Sequence, residues 1–341
     1  MDYGQEPSRS VMSSFLIESI GCPACGAPAS IHNRSCPYCG AVLLLTSLES
    51  VLTREGSASS SGGLSRWRER LDKNPADAAA EFALGVCYLN ANLKDRAVAH
   101  LRRAASLAPE MADVHYNLAV ALYDDGYTLI NSPDYQQAVA EIDLALRVAS
   151  DFAEARALSH FIRGRKFQDV DTHAAISEYE MGVQACSDIA ILHNNLGICL
   201  LKVGRLEDAV TTLRHSVGLG ENAQRCSNLC LGLFKTGRYS EGIQYGLRAV
   251  ALLRPGTRPN SQADCYNSLA LCLWKDGQKE QAIINAKKAV SLSPTIKIYR
   301  ENLAVISGHL LKMPVNRRVL VATLIAILLF VLALVVFTSV Q

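Results

Sequence analysis

Two hydrophobic patterns of different period run along this chain. From Val319 to Thr338 every residue is apolar except Thr323 and Thr338. A helix of about 20 residues, rising about 1.5 Å per residue, crosses a hydrocarbon core about 30 Å thick. The run therefore predicts one transmembrane helix at 319–340, preceded by a basic juxtamembrane segment at 312–318 that contains Lys312, Arg317 and Arg318. Only Ser339, Val340 and Gln341 follow the run, so the positive charge on its N-terminal side is expected to leave the large domain in the cytoplasm. Such a segment would leave the ribosome only at termination, and its insertion is expected after translation, as in tail-anchored proteins. Residues 1–14 are polar, carry no basic start followed by an apolar core, and are expected to be disordered rather than a secretory signal.

The second pattern begins at Ala78 and returns about every 34 residues, with Leu at its seventh place, a small residue at the eighth, Ala at the twentieth and often Pro at the thirty-second. The first copy places Leu84, Gly85, Ala97 and Pro109 there. The second holds Leu118 and Ala119, with extra residues around Tyr127 to Pro133 before Ala138 and Ala145. The third is degenerate, Ser159 and His160 replacing the usual pair ahead of Ala175. The fourth has Leu196, Gly197 and Ala209; the fifth has Leu229, Cys230, Gly242 and Ala249. After a joint at Pro255, Gly256 and Pro259, the sixth restores Leu269, Ala270, Ala282, Ala289 and Pro294. This pattern resembles the tetratricopeptide repeat, which implies paired helices that approach closely at the small residues and stack into an α-solenoid. The expected fold is mainly α, with the solenoid at 64–311. A lone helix through Leu64, Trp67 and Leu71 should cap one end, and Lys297 to Leu311 the other.

Cysteine spacing adds a third unit, at 15–52. Cys22-Pro-Ala-Cys25-Gly and Cys36-Pro-Tyr-Cys39-Gly are two knuckles ten residues apart, and four thiolates at that spacing can surround one tetrahedral ion. Pro after the first Cys and Gly after the second favour tight turns whose N–H groups face the sulfurs. The segment resembles a zinc ribbon, with Zn²⁺ on Cys22, Cys25, Cys36 and Cys39; a rubredoxin-type iron site is the alternative. A closed site of four thiolates implies a structural role. Residues 53–63, rich in Ser and Gly, read as a flexible linker.

Composition narrows the function. A 49% hydrophobic content reads as folded, and a net charge of +2 offers no broad footprint for nucleic acid, which is not expected as a partner. The other seven cysteines lie in apolar helical contexts and suit a reducing compartment. Cys226 and Cys230, four apart, share a helix face, and packing is the expected role. His115 and His193 take the fourth place of their repeats and are expected to pack as well. No phosphate loop, zinc-protease helix or nucleophile elbow occurs, and no enzymatic activity is expected. Asn117, Asn195, Asn228 and Asn302 all take the sixth place, with Asn194 and Asn267 at the fifth. In the solenoids of O-GlcNAc transferase a recurrent inner-helix asparagine hydrogen-bonds an extended ligand, since an amide donates and accepts at once. The resemblance implies a protein or peptide partner on these residues; the alternative is that asparagine belongs to the repeat consensus. Phe82 and Val86 stand where a chaperone-tail clamp would need Lys and Asn, so that clamp is not expected.

The expected function is a membrane-anchored cytosolic scaffold. Its rival is a membrane-bound regulator whose ribbon senses metal or touches nucleic acid or a transcription component. Elemental analysis of the purified chain should find one zinc and no iron. Replacing any one of Cys22, Cys25, Cys36 or Cys39 with Ser should cost the ribbon its order, while the helical circular dichroism persists after chelation.

Overall fold

The computed structural model describes residues 20–21, 28–29, 61–91, 93–123 and 132–308. Cys22, Cys25, Cys36, Cys39 and the apolar run at 319–340 lie outside the described residues. Two short strands, β1 (Ile20–Gly21) and β2 (Pro28–Ala29), pair antiparallel with Ile20 opposite Ala29 and Gly21 opposite Pro28.

Fourteen α-helices make up the rest of the described chain. It divides into two compact units, one ending at Gly220 and one beginning at Glu221. The first unit opens with α1 (Ser61–Lys73). Four helix pairs follow: α2 (Ala78–Asn90) with α3 (Lys94–Leu107), α4 (Ala112–Leu122) with α5 (Pro133–Val148), α6 (Ala153–Phe167) with α7 (Thr172–Ala185), and α8 (Ala190–Lys202) with α9 (Leu206–Leu219). The second unit contains α10 (Ala223–Lys235) with α11 (Tyr239–Ala251), α12 (Pro259–Lys275) with α13 (Lys279–Leu292), and a lone α14 (Lys297–Ser307). Within each pair the two helices pack on one another, and within each unit a pair packs on the next.

Helix ends follow from local chemistry. Asp77, Ser132, Asp171 and Asn222 each accept a hydrogen bond from a first-turn N–H of α2, α5, α7 and α10, satisfying donors that the helix cannot. The turn between the two helices of the fourth, fifth and sixth repeats is closed by Gly204, Gly237 and Gly277 at φ of +82°, +78° and +88°. That left-handed conformation lacks the Cβ penalty only in glycine.

Helix pairing rests on volume matching at two places. One is the eighth residue of the first helix, the other the residue four after the repeat's alanine or glycine on the second. A Cβ on Gly85 would stand 2.5 Å from Leu101 Cγ, and one on Gly197 would stand 2.5 Å from Leu213 Cγ. The fifth repeat inverts the arrangement: Cys230 fills the first-helix place, and a Cβ on Gly246 would stand 3.1 Å from its sulfur. The third repeat, with His160 and Tyr179 at the two places, shifts the small residue one turn on, where a Cβ on Gly164 would stand 2.5 Å from the Tyr179 ring. Its degeneracy is thus a relocation of the contact.

Boundaries differ from the sequence reading at three points. α1 starts at Ser61 and takes the last residues of the expected 53–63 linker, because buried Trp67 and the bond from Arg68 Nη2 to Tyr88 Oη (2.6 Å) hold its body on α2. Pro259 is the first residue of α12 rather than part of the joint, since its missing N–H is not needed there. α14 stops at Ser307, short of Leu311, because Gly308 adopts φ +75° and ends the helix. Gly197→Val should cost about 1–3 kcal/mol through overpacking against Leu213, outweighing a helix-propensity gain of under about 1 kcal/mol. Thermal melting of the full chain, showing a transition lowered by several degrees, checks this.

Candidate partner-binding site

Once the apolar faces are buried, the polar side chains of the first helices must either bond one another or await a partner. Asn117 and Asn195 belong to the first unit, Asn228 and Asn302 to the second. In the first unit Asn117 is 1% exposed, and its Nδ2 donates to the Asp113 carbonyl one turn back at 2.8 Å. Asn195, on α8, is 7% exposed and accepts from Asn194 Nδ2 at 3.2 Å. Its own Nδ2 is buried and has no acceptor among the described residues.

The second unit bonds its amides to neighbouring polar side chains. Asn228 Oδ1 accepts from Gln224 Nε2 at 3.3 Å on α10. Asn302 Nδ2 on α14 donates to Asn267 Oδ1 on α12 at 2.8 Å, and Tyr299 Oη donates to Asp264 Oδ1 at 2.7 Å between the same helices. Gln224 also hydrogen-bonds Asp264, and the Ser227 and Ser268 hydroxyls pair at 2.9 Å. Gln224, Asp264 and Tyr299 were not singled out in the sequence. The available signal was a polar residue at the second place of two successive repeats, about one turn before the asparagines and on their face. Burial pushes the Asp264 carboxyl above the ordinary carboxylate range, while the bonds from Tyr299 and Gln224 pull the other way.

The first unit fastens first helix to second within each repeat. Glu81, 1% exposed, lies 2.6 Å from His100 Nδ1 and 2.9 Å from Arg103 Nε. His115 meets Glu141 at 2.7 Å and the Pro109 carbonyl at 2.9 Å; His160 meets Glu178 at 2.8 Å. His100, Glu141 and Glu178 each stand three residues after the alanine of their repeat, a recurrence visible in the sequence once the alanines are aligned. In the fourth repeat Ser216 Oγ donates to the Ala190 carbonyl at 2.7 Å, and His193 Nε2 lies 2.8 Å from the Ser187 carbonyl. His115 and His193 are thus buried groups held by the fold. Phe82 and Val86 are likewise buried in the core.

The thiols of the second unit pack. Cys226, Cys230, Cys265 and Cys272 are fully buried, and Cys230 Sγ lies 3.6 Å from Cys272 Sγ. Desolvation pushes Cys226 up to about 12 and Cys265 up to about 11, so both stay protonated and act as small apolar groups. No group of three or more His, Cys, Asp or Glu among the described residues is arranged to hold a metal ion.

Because folding raises the Asp264 pKa, the folded state holds its proton to higher pH than the unfolded chain does. Stability from this group is complete below the ordinary carboxylate range and is lost as pH rises through the folded value. Asp264→Asn, which keeps an acceptor for Tyr299, should raise the melting temperature at pH 7. At pH 3, where the wild-type carboxyl is protonated, it should change little.

Tetratricopeptide-repeat models match residues 61–112 and 263–296. A curated relative, a BBSome complex member BBS4 homolog from Drosophila melanogaster, is 31% identical over 124 residues, covering 36% of this chain and 24% of that protein. The chain thus matches about a quarter of that relative's length. The crystal structure of the APC/C hetero-tetramer Cut9-Hcn1 is similar with a TM-score of 0.57 at 16% identity, covering 76% of this chain and 47% of that one. PilF of Pseudomonas aeruginosa is similar with a TM-score of 0.52 at 19% identity, covering 68% and 99% respectively. These two likenesses concern the fold alone. The model matches show tetratricopeptide repeats at 61–112 and 263–296, and the helix pairs with these likenesses show a mainly α, tetratricopeptide-type fold.

Proposed function

We propose that this chain is a membrane-anchored cytosolic scaffold that docks an extended protein segment on the first helices of its repeats. A repeat fold of this type supports protein or peptide partners and lends itself to no particular chemistry. The observation that carries the docking reading is Asn195. A buried amide donor without an acceptor costs about 1–3 kcal/mol, and a partner's backbone carbonyl would remove that cost. In the second unit Asn228, Asn267 and Asn302 are half-buried, and the bonds of Asn228 with Gln224 and of Asn302 with Asn267 can be exchanged for bonds to a ligand. Asn117, closed onto its own helix, serves as a brace in this reading. Membership of the Drosophila relative in a BBSome complex supports a role within a multiprotein assembly.

The remaining parts are read from the sequence. Zn²⁺ on Cys22, Cys25, Cys36 and Cys39 would fold a ribbon at 15–52, and the antiparallel pairing of β1 with β2 on either side of the first knuckle supports a ribbon there. No helix among the described residues is long and apolar enough to cross a membrane. The anchor is assigned to 319–340, where an apolar backbone can satisfy its polar groups in lipid only as a helix. Anchoring would raise a partner's effective concentration at the bilayer. The metal- or nucleic-acid-sensing regulator is not favoured, and no reaction is assigned.

Selection of a displayed peptide library on the full chain, repeated with Asn195→Ala and Asn228→Ala combined, tests the docking reading. Two lost hydrogen bonds of about 0.5–1.5 kcal/mol each should weaken the selected peptides by roughly five- to a hundredfold. The melting temperature should hold, because Asn195→Ala removes an unsatisfied donor. A lower melting temperature with unchanged peptide affinity would overturn the reading and make both residues braces.

A further inference from the structure

The net charge of +2 conceals a division that follows the two compact units. Residues 1–220 hold 19 Lys and Arg against 26 Asp and Glu, whereas residues 221–341 hold 15 against 6, so the second part carries +9 and the first −7. Most acids of the second unit already have partners: Glu221 with Arg248 at 2.6 Å, Glu241 with Arg238 at 2.6 Å, Glu301 with Lys297 at 3.1 Å, and Asp264 with Tyr299. Lys279, Lys287 and Lys288 on α13 are exposed, and none lies within ion-pair distance of a carboxylate among the described residues. Ile284 is 66% exposed, one turn before Lys287 and Lys288, and the exposed Glu280 stands one turn before it.

A large aliphatic side chain beside ammonium groups that outnumber the one acid near them, Glu280, gains nothing from water. Both gain at an anionic bilayer surface, where headgroup phosphates and carboxylates attract the lysines and the acyl boundary accepts the isoleucine. From Gly308 to Val319 the connection is eleven residues, 308–318, at most about 40 Å when fully extended. The anchored reading would therefore hold the second unit within reach of the bilayer. We infer that the lysine face of α13 docks on anionic lipid headgroups, orienting the second unit against the membrane rather than leaving it on a free tether. The inference rests on the anchored reading for proximity. Its chemistry, an exposed isoleucine flanked by Lys287 and Lys288 on a helix whose three exposed lysines outnumber the one acid, Glu280, stands apart from the anchor.

The test uses the full chain with vesicles of phosphatidylcholine alone or of phosphatidylcholine with phosphatidylserine. Flotation reports association, and acylation by an N-hydroxysuccinimide ester, read by mass spectrometry, reports each lysine. On the anionic vesicles Lys279, Lys287 and Lys288 should react roughly fivefold more slowly than on the neutral ones, with Lys94 and Lys202 as internal references. Raising salt to about 0.5 M should restore the rates. In Lys279→Glu combined with Lys287→Glu, exposed sites whose change spares the fold, Lys288 should lose its protection. Flotation with both vesicle types but equal lysine rates overturns the face and leaves the anchor. Flotation with anionic vesicles only, with the α13 lysines protected and salt releasing the chain, overturns the anchor and leaves the face. Equal protection by soluble polyglutamate or an oligonucleotide with neutral vesicles overturns lipid as the occupant.

Discussion

Everything in the described chain depends on how closely the two helices of a repeat can approach. A single helix of this composition has an apolar face it cannot bury alone, and its partner must come near enough to exclude water without overlap. The contact therefore needs a small side chain at one of the two places at least, but it does not dictate which helix supplies it, and the sixth repeat has alanine at both, Ala270 and Ala286. Gly85 and Gly197 yield to Leu101 and Leu213; Gly246 yields to Cys230; Gly164 yields to Tyr179 one turn away. Since burying a leucine is worth about 1.5–3 kcal/mol and overpacking costs about as much, each repeat is held near one spacing.

That freedom of assignment explains how an irregular repeat survives inside the stack. His160 stands where a small residue is expected, and its imidazole is too polar to bury unbonded. It finds Glu178 on the paired helix, and Tyr179 next to that acid supplies the bulk, with its hydroxyl bonded to Gln168 at 2.8 Å. The same polar requirement is met differently in the two units. In the first, His and Glu link the two helices of one repeat; in the second, amides, Asp264 and Tyr299 link the first helices of successive repeats. In the docking proposed above, a segment would compete for bonds of the latter kind, exchanging partners rather than filling vacant ones. Asn195 differs in having a donor left over.

Charge follows a logic separate from the core. Buried positions recur with the repeat, but exposed positions are free to drift, and here they have drifted apart by unit, acidic before Gly220 and basic after it. The overall balance says little about either surface, because a sum over the chain removes the spatial information that a partner or a bilayer would sense.

The sequence by itself determined the helix class, the repeat period and the close contacts of the regular repeats. These are properties of spacing along one chain, and the recurrence of Leu, Gly and Ala at fixed intervals carries them in full. It also placed the asparagines at one register position. It did not decide what those asparagines do, because position in a repeat sets which face a side chain occupies and not what lies opposite. Asn117 and Asn302 occupy the same place, yet one bonds its own helix and the other bonds Asn267 on the preceding first helix. Likewise His115 and His193 share a register while their partners, Glu141 and the Ser187 carbonyl, differ. Helix ends were decided locally as well, Ser61 being drawn into α1 by the packing of Trp67 and α14 being stopped by Gly308. Only the tertiary structure brings residues from different repeats within hydrogen-bonding distance, and a hydrogen bond is a matter of tenths of an ångström that a pattern of residue types does not encode.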